Sequence, residues 1–174
     1  MQRPLSVALA TVFLLAASGQ ALAHVTLETQ QASAPSIYKA VLRVPHGCNG
    51  APTTAIRVQI PEGVIAVKPM PKPGWRLETV SGAYARTYDY YGTPTAQGVK
   101  EVVWSGGRLL DEHYDEFAFR AALTDSLQAG QTIHFPVIQE CDGAASRWTD
   151  TTGGGHSHDH GAGAAPSIKL VPKP

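Results

Sequence analysis

The sequence predicts an all-β protein, either a sandwich or a barrel. Short runs rich in Val, Ile, Thr, Tyr and Trp alternate with Gly/Pro turns, and no long segment carries a helical period. Apolar and polar residues alternate with a period of two in residues 40–44 and 56–60, as expected for half-buried strands. Turn signals at 61–63 (Pro-Glu-Gly), 71–74 (Pro-Lys-Pro-Gly) and 81–82 (Ser-Gly) separate successive runs.

Each expected strand is a β-rich run bounded by such turns. In chain order the expected strands are Val25–Glu28, Tyr38–Val44, Thr54–Gln59, Val64–Lys68, Trp75–Val80, Ala83–Tyr90, Glu101–Trp104, Glu116–Ala122, Gln131–Phe135, Arg147–Thr149 and Ile168–Val171. Residues 81–82 are expected to form a tight hairpin. The proline density of 61–73 favours an edge strand or an extended connection, because proline cannot donate to a ladder.

The domain organisation follows from changes in composition. Residues 24–150 are expected to form one sandwich domain. Residues 151–166 are rich in Gly, Ala and His and poor in bulky apolar residues, which predicts a flexible linker. Residues 167–174 are expected to return as a short edge strand or to fray.

Residues 1–23 have the composition of a secretory signal peptide. A basic residue, Arg3, precedes an apolar run over 5–17, and Ala21-Leu22-Ala23 is a small-x-small cleavage site. The apolar run is too short for a good membrane span. We therefore expect cleavage after Ala23 and a periplasmic or secreted mature protein that begins at His24.

Charge and motifs narrow the function classes. The chain has 14 basic and 14 acidic residues, so nothing indicates nucleic acid or an anionic membrane surface as a partner. It contains no Gly-x-Ser-x-Gly elbow, Gly-rich phosphate loop, His-Glu-x-x-His or Cys-x-x-Cys motif. A binding protein, monomeric or weakly dimeric, is expected rather than an enzyme.

The two cysteines, Cys48 and Cys141, are expected to form a disulfide in an oxidising compartment. The bond would close a loop of about 94 residues and contribute roughly 4–5 kcal/mol in the chain-entropy model. The alternative is a pair of thiolates that binds Cu(I).

An N-terminal histidine is a chelating group. His24 would offer its free α-amine and its imidazole to one cation, and two nitrogens in this arrangement suit Cu(II). The amine must lose a proton to bind. Because its reference pKa is about 8, copper competes with protons and binding weakens in acid.

Three further histidines lie within the expected sandwich domain. His46 follows a strand end and precedes Cys48, so a disulfide would hold its loop; it is either a ligand or a turn cap. His113 lies in an acidic turn, and His134 lies in a strand where it is expected to face solvent.

The tract 156–160 contains three alternating histidines in a glycine-rich segment. His156, His158 and His160 could capture Cu(II), Zn(II) or Ni(II) weakly, at an entropic cost for ordering the segment. The alternative is a solvated linker without a metal.

Several segments of the sequence match the pattern of one protein family, and they occur in the order that the family shows. They are the start His24-Val25-Thr26, Arg43-Val44-Pro45, the run 53–64, Lys72-Pro73-Gly74-Trp75, Val103-Trp104-Ser105-Gly106-Gly107, Asp115-Glu116-Phe117-Ala118-Phe119 and Arg147-Trp148. Together they resemble the YcnI-like family of exported copper-binding proteins, over essentially the whole mature domain.

The resemblance implies an immunoglobulin-like β-sandwich that binds Cu(II) in a monohistidine brace. On this chain the brace is the α-amine and ring of His24, and the family's tryptophan next to the metal corresponds to Trp148. A family glutamate ligand falls in the loop 46–50, which has no glutamate here. His46 could replace that carboxylate, and Glu28 is a weaker substitute.

The resemblance and the motifs together predict a copper chaperone or buffer. It would deliver copper to an acceptor such as an oxidase or a membrane importer. One alternative is a histidine-brace redox enzyme that uses His46 as a second ring ligand. The other is a metal-free interaction sandwich.

Overall fold

The computed structural model describes residues 24–152 and 162–173, and every regular element within them is a β-strand. The strands are β1 (Thr26–Leu27), β2 (Gln31–Ser33), β3 (Ser36–Val44), β4 (Thr53–Gln59), β5 (Val64–Pro69), β6 (Arg76–Tyr90), β7 (Thr93–Leu109), β8 (Asp115–Leu123), β9 (Thr132–His134), β10 (Val137–Cys141), β11 (Ala144–Asp150), β12 (Ala162–Ala164) and β13 (Ser167–Val171). The all-β prediction is confirmed. The expected signal peptide (1–23) and histidine tract (156–160) lie outside the described residues.

The strands form two main sheets and a small third one. The four-stranded sheet has the order β1-β3-β8-β5, and the six-stranded sheet has the order β12-β11-β10-β4-β7-β6. The third sheet has the order β2-β13-β9. Strand β5 lies at an edge, as the prolines on either side of it predict.

The core lies between the two main sheets. Alternate residues of β3 and β4 are buried there, and the largest fully buried side chains include Trp104, Phe117 and Phe119. Phe117 packs against Trp104 and Trp75, with ring centroids 5.6 and 4.8 Å away. Burying such a side chain stabilises the fold by about 1.5–3 kcal/mol.

The hairpin predicted at Ser81-Gly82 is wrong. These residues continue β6 and pair with Val99 and Gly98, next to an irregularity in the register. The chain reverses instead at Tyr91-Gly92, where both residues have positive φ (53° and 80°), as a type I′ turn requires. The small residues at 81–82 mark a bulge in a long strand rather than a turn.

The far half of this hairpin extends beyond β4, which pairs with β7 only between Glu101 and Leu109, and it contacts part of the outer face of the other sheet. Tyr84 and Tyr88 pack there on Ile65 and Ala122. Glu62 fastens the hairpin by accepting hydrogen bonds from Nζ of Lys100, from Oη of Tyr88 (3.0 Å) and from the amide of Ala85 (3.3 Å). These donors, Lys100 first, lower the pKa of the Glu62 carboxyl.

The C-terminal region is more ordered than its composition predicts. Residues 162–164, within the expected linker, form β12 parallel to β11. The last segment is not an edge strand, because β13 is central in the third sheet, with Ile168 and Leu170 fully buried. Strand β10, which lies between β4 and β11, was not among the expected strands.

Candidate metal centre

The ring of His24 lies against the indole of Trp148. Their centroids are 5.0 Å apart and the ring planes meet at 45°. Trp148 is 8% exposed, whereas His24 is half-buried, so the histidine forms the outer side of the pair. These two residues are the ones that the family resemblance places at the metal.

The register of the four-stranded sheet determines what else lies near His24. Thr26 is opposite Arg43 in the antiparallel pair of β1 and β3. Continued by two residues, this register sets His24 opposite Pro45, at the end of β3 where the loop of His46 begins. His24 and this loop therefore share one end of the sandwich.

The loop after β3 is held by a tight turn and a disulfide. Asn49 and Gly50 both have positive φ, and Cys48 and Ala51 exchange backbone hydrogen bonds of 2.9 and 3.0 Å across them. Cys48 is bonded to Cys141 at the end of β10, which confirms the predicted disulfide. Nδ1 of His46 lies 3.9 Å from Oδ1 of Asp111.

Gln139 joins this loop to the tryptophan. Its side chain is 1% exposed. Its Oε1 accepts a hydrogen bond from Nε1 of Trp148 (3.3 Å), and its Nε2 donates to the carbonyl oxygen of His46 (2.7 Å) and to Oγ1 of Thr53 (2.8 Å). The amide thus uses both its ends, as a buried polar group must. Sequence reasoning missed Gln139; the available signal was its alternation with Val137 and Cys141, which places it on their buried face.

Backbone from the C-terminal region packs against the same indole. Gly163 is paired with Trp148, and a Cβ atom at this position would lie 2.3 Å from Cε3 of the ring. A pocket of about 250 Å³ opens beside His24, between residues 24–27 with Gln30 and residues 164–167. His24 is therefore one wall of an open concavity on this side.

Glu28 lies away from the His24–Trp148 pair. Its amide donates to the carbonyl of Val41, and its carboxylate lies 3.4 Å from Nη2 of Arg43. Four steps along the chain lead from His24 to Glu28, at most about 13 Å if all were extended. Within residues 24–152 and 162–173, no three side chains of His, Cys, Asp or Glu form a cluster suited to a metal ion.

His113 and His134 have surroundings of their own. His113 is exposed and lies 3.8 Å from Glu112. The expectation that His134 faces solvent is wrong for part of its ring, because its Nδ1 is buried and has no hydrogen-bond partner among the described residues. Within the third sheet, β9 pairs with β13 and places His134 opposite Ser167. The residues of the histidine tract lie outside the described part of the chain.

The two packed sheets define an immunoglobulin-like β-sandwich. A crystal structure of an uncharacterized protein from Nocardia farcinica, reported to have an immunoglobulin-like fold, is similar over 85% of this chain and 98% of its own, with a TM-score of 0.61 and 21% identity. The chain belongs to the family described as a domain of unknown function, DUF1775, whose model matches residues 24–170. YcnI-like proteins are members of this family, so the resemblance seen in the sequence is confirmed.

No curated protein matches the chain. In the described residues no helix has the length and apolar character needed to cross a membrane.

Proposed function

We propose that the protein is an exported Cu(II) carrier that binds one copper ion through His24 and serves as a chaperone or buffer in copper trafficking. The single observation that carries the proposal is the contact between the His24 ring and Trp148. It joins a histidine at the predicted mature N-terminus to a buried indole, which is the pair that the family resemblance assigns to copper. The family match also begins at His24.

The donor set suits copper chemically. After cleavage, the α-amine and the imidazole of His24 would form one chelate, and Cu(II) prefers nitrogen donors in such tetragonal arrangements. His46 and Glu28 remain the candidates for a further ligand. Of the two, His46 has the better position, since its loop meets the start of the domain at the end of β3.

Each neighbouring residue has a role in this proposal. Trp148 shields one side of the His24 ring from water and offers no strong donor of its own. Gln139 orients the indole, and the disulfide fixes the loop of His46 relative to β10. A rigid support of this kind lowers the entropic cost of forming the site.

The experiment is a Cu(II) titration of protein that begins at His24. Binding is monitored by tryptophan fluorescence and by calorimetry. We expect one tight equivalent with strong quenching, because the indole of Trp148 adjoins the His24 ring. His24→Ala should abolish the tight equivalent, and His113→Ala, a matched change at an exposed histidine, should retain it. Unchanged tight binding in His24→Ala would reject the proposal.

Two variants assign the other histidines. Deletion of residues 156–160 should remove only weak additional equivalents, since that tract is proposed as a secondary metal site. His46→Ala should change the copper spectrum if this residue is a ligand, and an unchanged spectrum would exclude it.

A redox enzyme is the second candidate, and the position of the His46 loop beside His24 favours it over a metal-free interaction sandwich. A second ring ligand is what a histidine-brace enzyme would need. Sustained, reductant-dependent peroxide production by the copper-loaded protein would support the enzyme, and its absence would support the carrier.

A further inference from the structure

Three basic residues form a row across the outer face of the four-stranded sheet. Lys39 of β3 is directly opposite Arg120 of β8, and Lys68 of β5 is opposite Arg120 on the other side. All three side chains are exposed. Because opposed residues in antiparallel strands point to the same face with Cβ atoms about 5 Å apart, three cations stand side by side.

The basic row has no counter-charge within the described residues. None of its three side chains has a hydrogen bond or an ion pair there. Like charges directly opposite each other destabilise a sheet. A position that breaks a local rule in this way is a candidate for function.

An apolar pocket adjoins the basic row. Two residues further along β3 and β8, and three along β5 because of its irregularity, Ile37, Ala122 and Ile65 are paired across the same sheet. They form part of the lining of a pocket of about 360 Å³. Tyr90 and Tyr91 also line it, with their ring centroids 4.8 Å apart, and Tyr91 is 80% exposed. Arginine and tyrosine beside an apolar pocket are typical of the energetically dominant parts of protein interfaces.

This surface is separate from the candidate metal centre. The pocket includes Ser36 at the start of β3, whereas His46 follows Val44 at its end. The intervening strand of nine residues is about 27 Å long. Occupation of one site is therefore sterically compatible with occupation of the other.

We propose that the basic row and the adjoining pocket form a docking surface for an acidic segment of a partner protein. Its carboxylates would lie over Lys39, Arg120 and Lys68, and one of its apolar side chains would enter the pocket. A peptide segment fits this surface better than a bilayer, because the pocket of about 360 Å³ is a concavity that a single apolar side chain can enter. The chain has equal numbers of acidic and basic residues, so the attraction is local rather than a general affinity for anions.

The test uses a synthetic peptide in which glutamates flank a single leucine, and a matched peptide with glutamine at each glutamate. Binding to the full mature protein is monitored through the NMR chemical shifts of its amides, at low and at moderate salt. The acidic peptide should shift Lys39, Arg120 and Lys68 together with the pocket residues, and added salt should weaken it. The glutamine peptide should bind about tenfold more weakly or not at all.

The variants decide between local and general attraction. Replacing Lys39, Arg120 and Lys68 by glutamine should weaken peptide binding about tenfold. Replacing Arg76, Arg108 and Lys173 by glutamine removes the same charge from exposed positions elsewhere and should leave binding unchanged. Equal binding by both triple variants, or shifts outside the row and pocket, would overturn the proposal. So would binding to vesicles of anionic lipid without binding to the peptide.

Discussion

The indole Nε1 of Trp148 donates a hydrogen bond to Oε1 of Gln139, 3.3 Å away, within the core of the sandwich. The same glutamine donates to the backbone of His46, so one buried amide sets the position of both the tryptophan and the loop. Because Trp148 contacts the His24 ring, the amide connects the start of the domain to the disulfide-bonded end of β3.

Gln139→Leu should destabilise the protein. The substitution leaves the Trp148 indole and the His46 carbonyl without their partner, and each unsatisfied buried group costs about 1–3 kcal/mol. Chemical denaturation should show a loss of about 2 kcal/mol or more in the free energy of unfolding. Gln97→Leu, at an exposed position of β7, is the control and should change little. An equal effect of the two variants would mean that the buried amide has no special role.

Gly163→Ala should displace the indole of Trp148. The added methyl group would lie 2.3 Å from Cε3 of the ring, too close for either to stay in place. We expect lower stability and a changed tryptophan emission, measured by thermal unfolding and fluorescence. Gly82→Ala is the matched control, since its Cβ would meet only the side chain of Lys100 at 3.2 Å. Wild-type emission in Gly163→Ala would contradict the close packing described for β12.

Removal of the disulfide should lower stability strongly. The bond joins residues 93 apart in sequence, and closing such a loop contributes roughly 4–5 kcal/mol in the chain-entropy model. Denaturant unfolding of the double variant Cys48→Ala/Cys141→Ala and of wild type measures the contribution of the disulfide to the free energy of unfolding. Reduction of the wild-type protein should produce a similar loss, and the double variant itself should not respond to reductant. A variant as stable as wild type would show that the bond contributes nothing to folding.

Lys39→Glu should stabilise the sheet. It replaces a like-charge contact with Arg120 by an opposite-charge contact, a change of about 0.2–1 kcal/mol. Thermal unfolding at low salt measures the gain, and high salt should reduce it. Lys173→Glu makes the same charge change at an exposed position near the C-terminus. A gain of equal size there would attribute the effect to net charge instead of the basic row.

The sequence predicts most strands because their side chains alternate. β3 and β4 show this, since the residues of one alternating set are buried. The reversal at residues 91–92 was missed because a tyrosine occupies a position of positive φ, which composition does not reveal. Ser81-Gly82 has a composition more typical of a turn than Tyr91-Gly92 has. Pairing with β7 nevertheless keeps residues 81–82 within strand β6.

The candidate site was predicted in part. The disulfide between Cys48 and Cys141 was predicted from the residues and is confirmed. The family resemblance put Trp148 next to a metal bound by His24; the structure shows the two rings in contact, and the metal itself stays a prediction. Gln139 was not predicted because one sequence does not show which strand residue will meet a distant indole. Its role depends on the neighbouring strands β4, β10 and β11.

The most direct test of copper binding at His24 is a calorimetric Cu(II) titration of two forms of a protein that begins at His24. One form begins with a free α-amine at His24, and in the other that amine is acetylated while the imidazole is intact. The free form should bind one equivalent tightly, and the acetylated form should lose this equivalent because half of the chelate is blocked. Equally tight binding by both forms would contradict a chelate made by the N-terminal amine and its own ring.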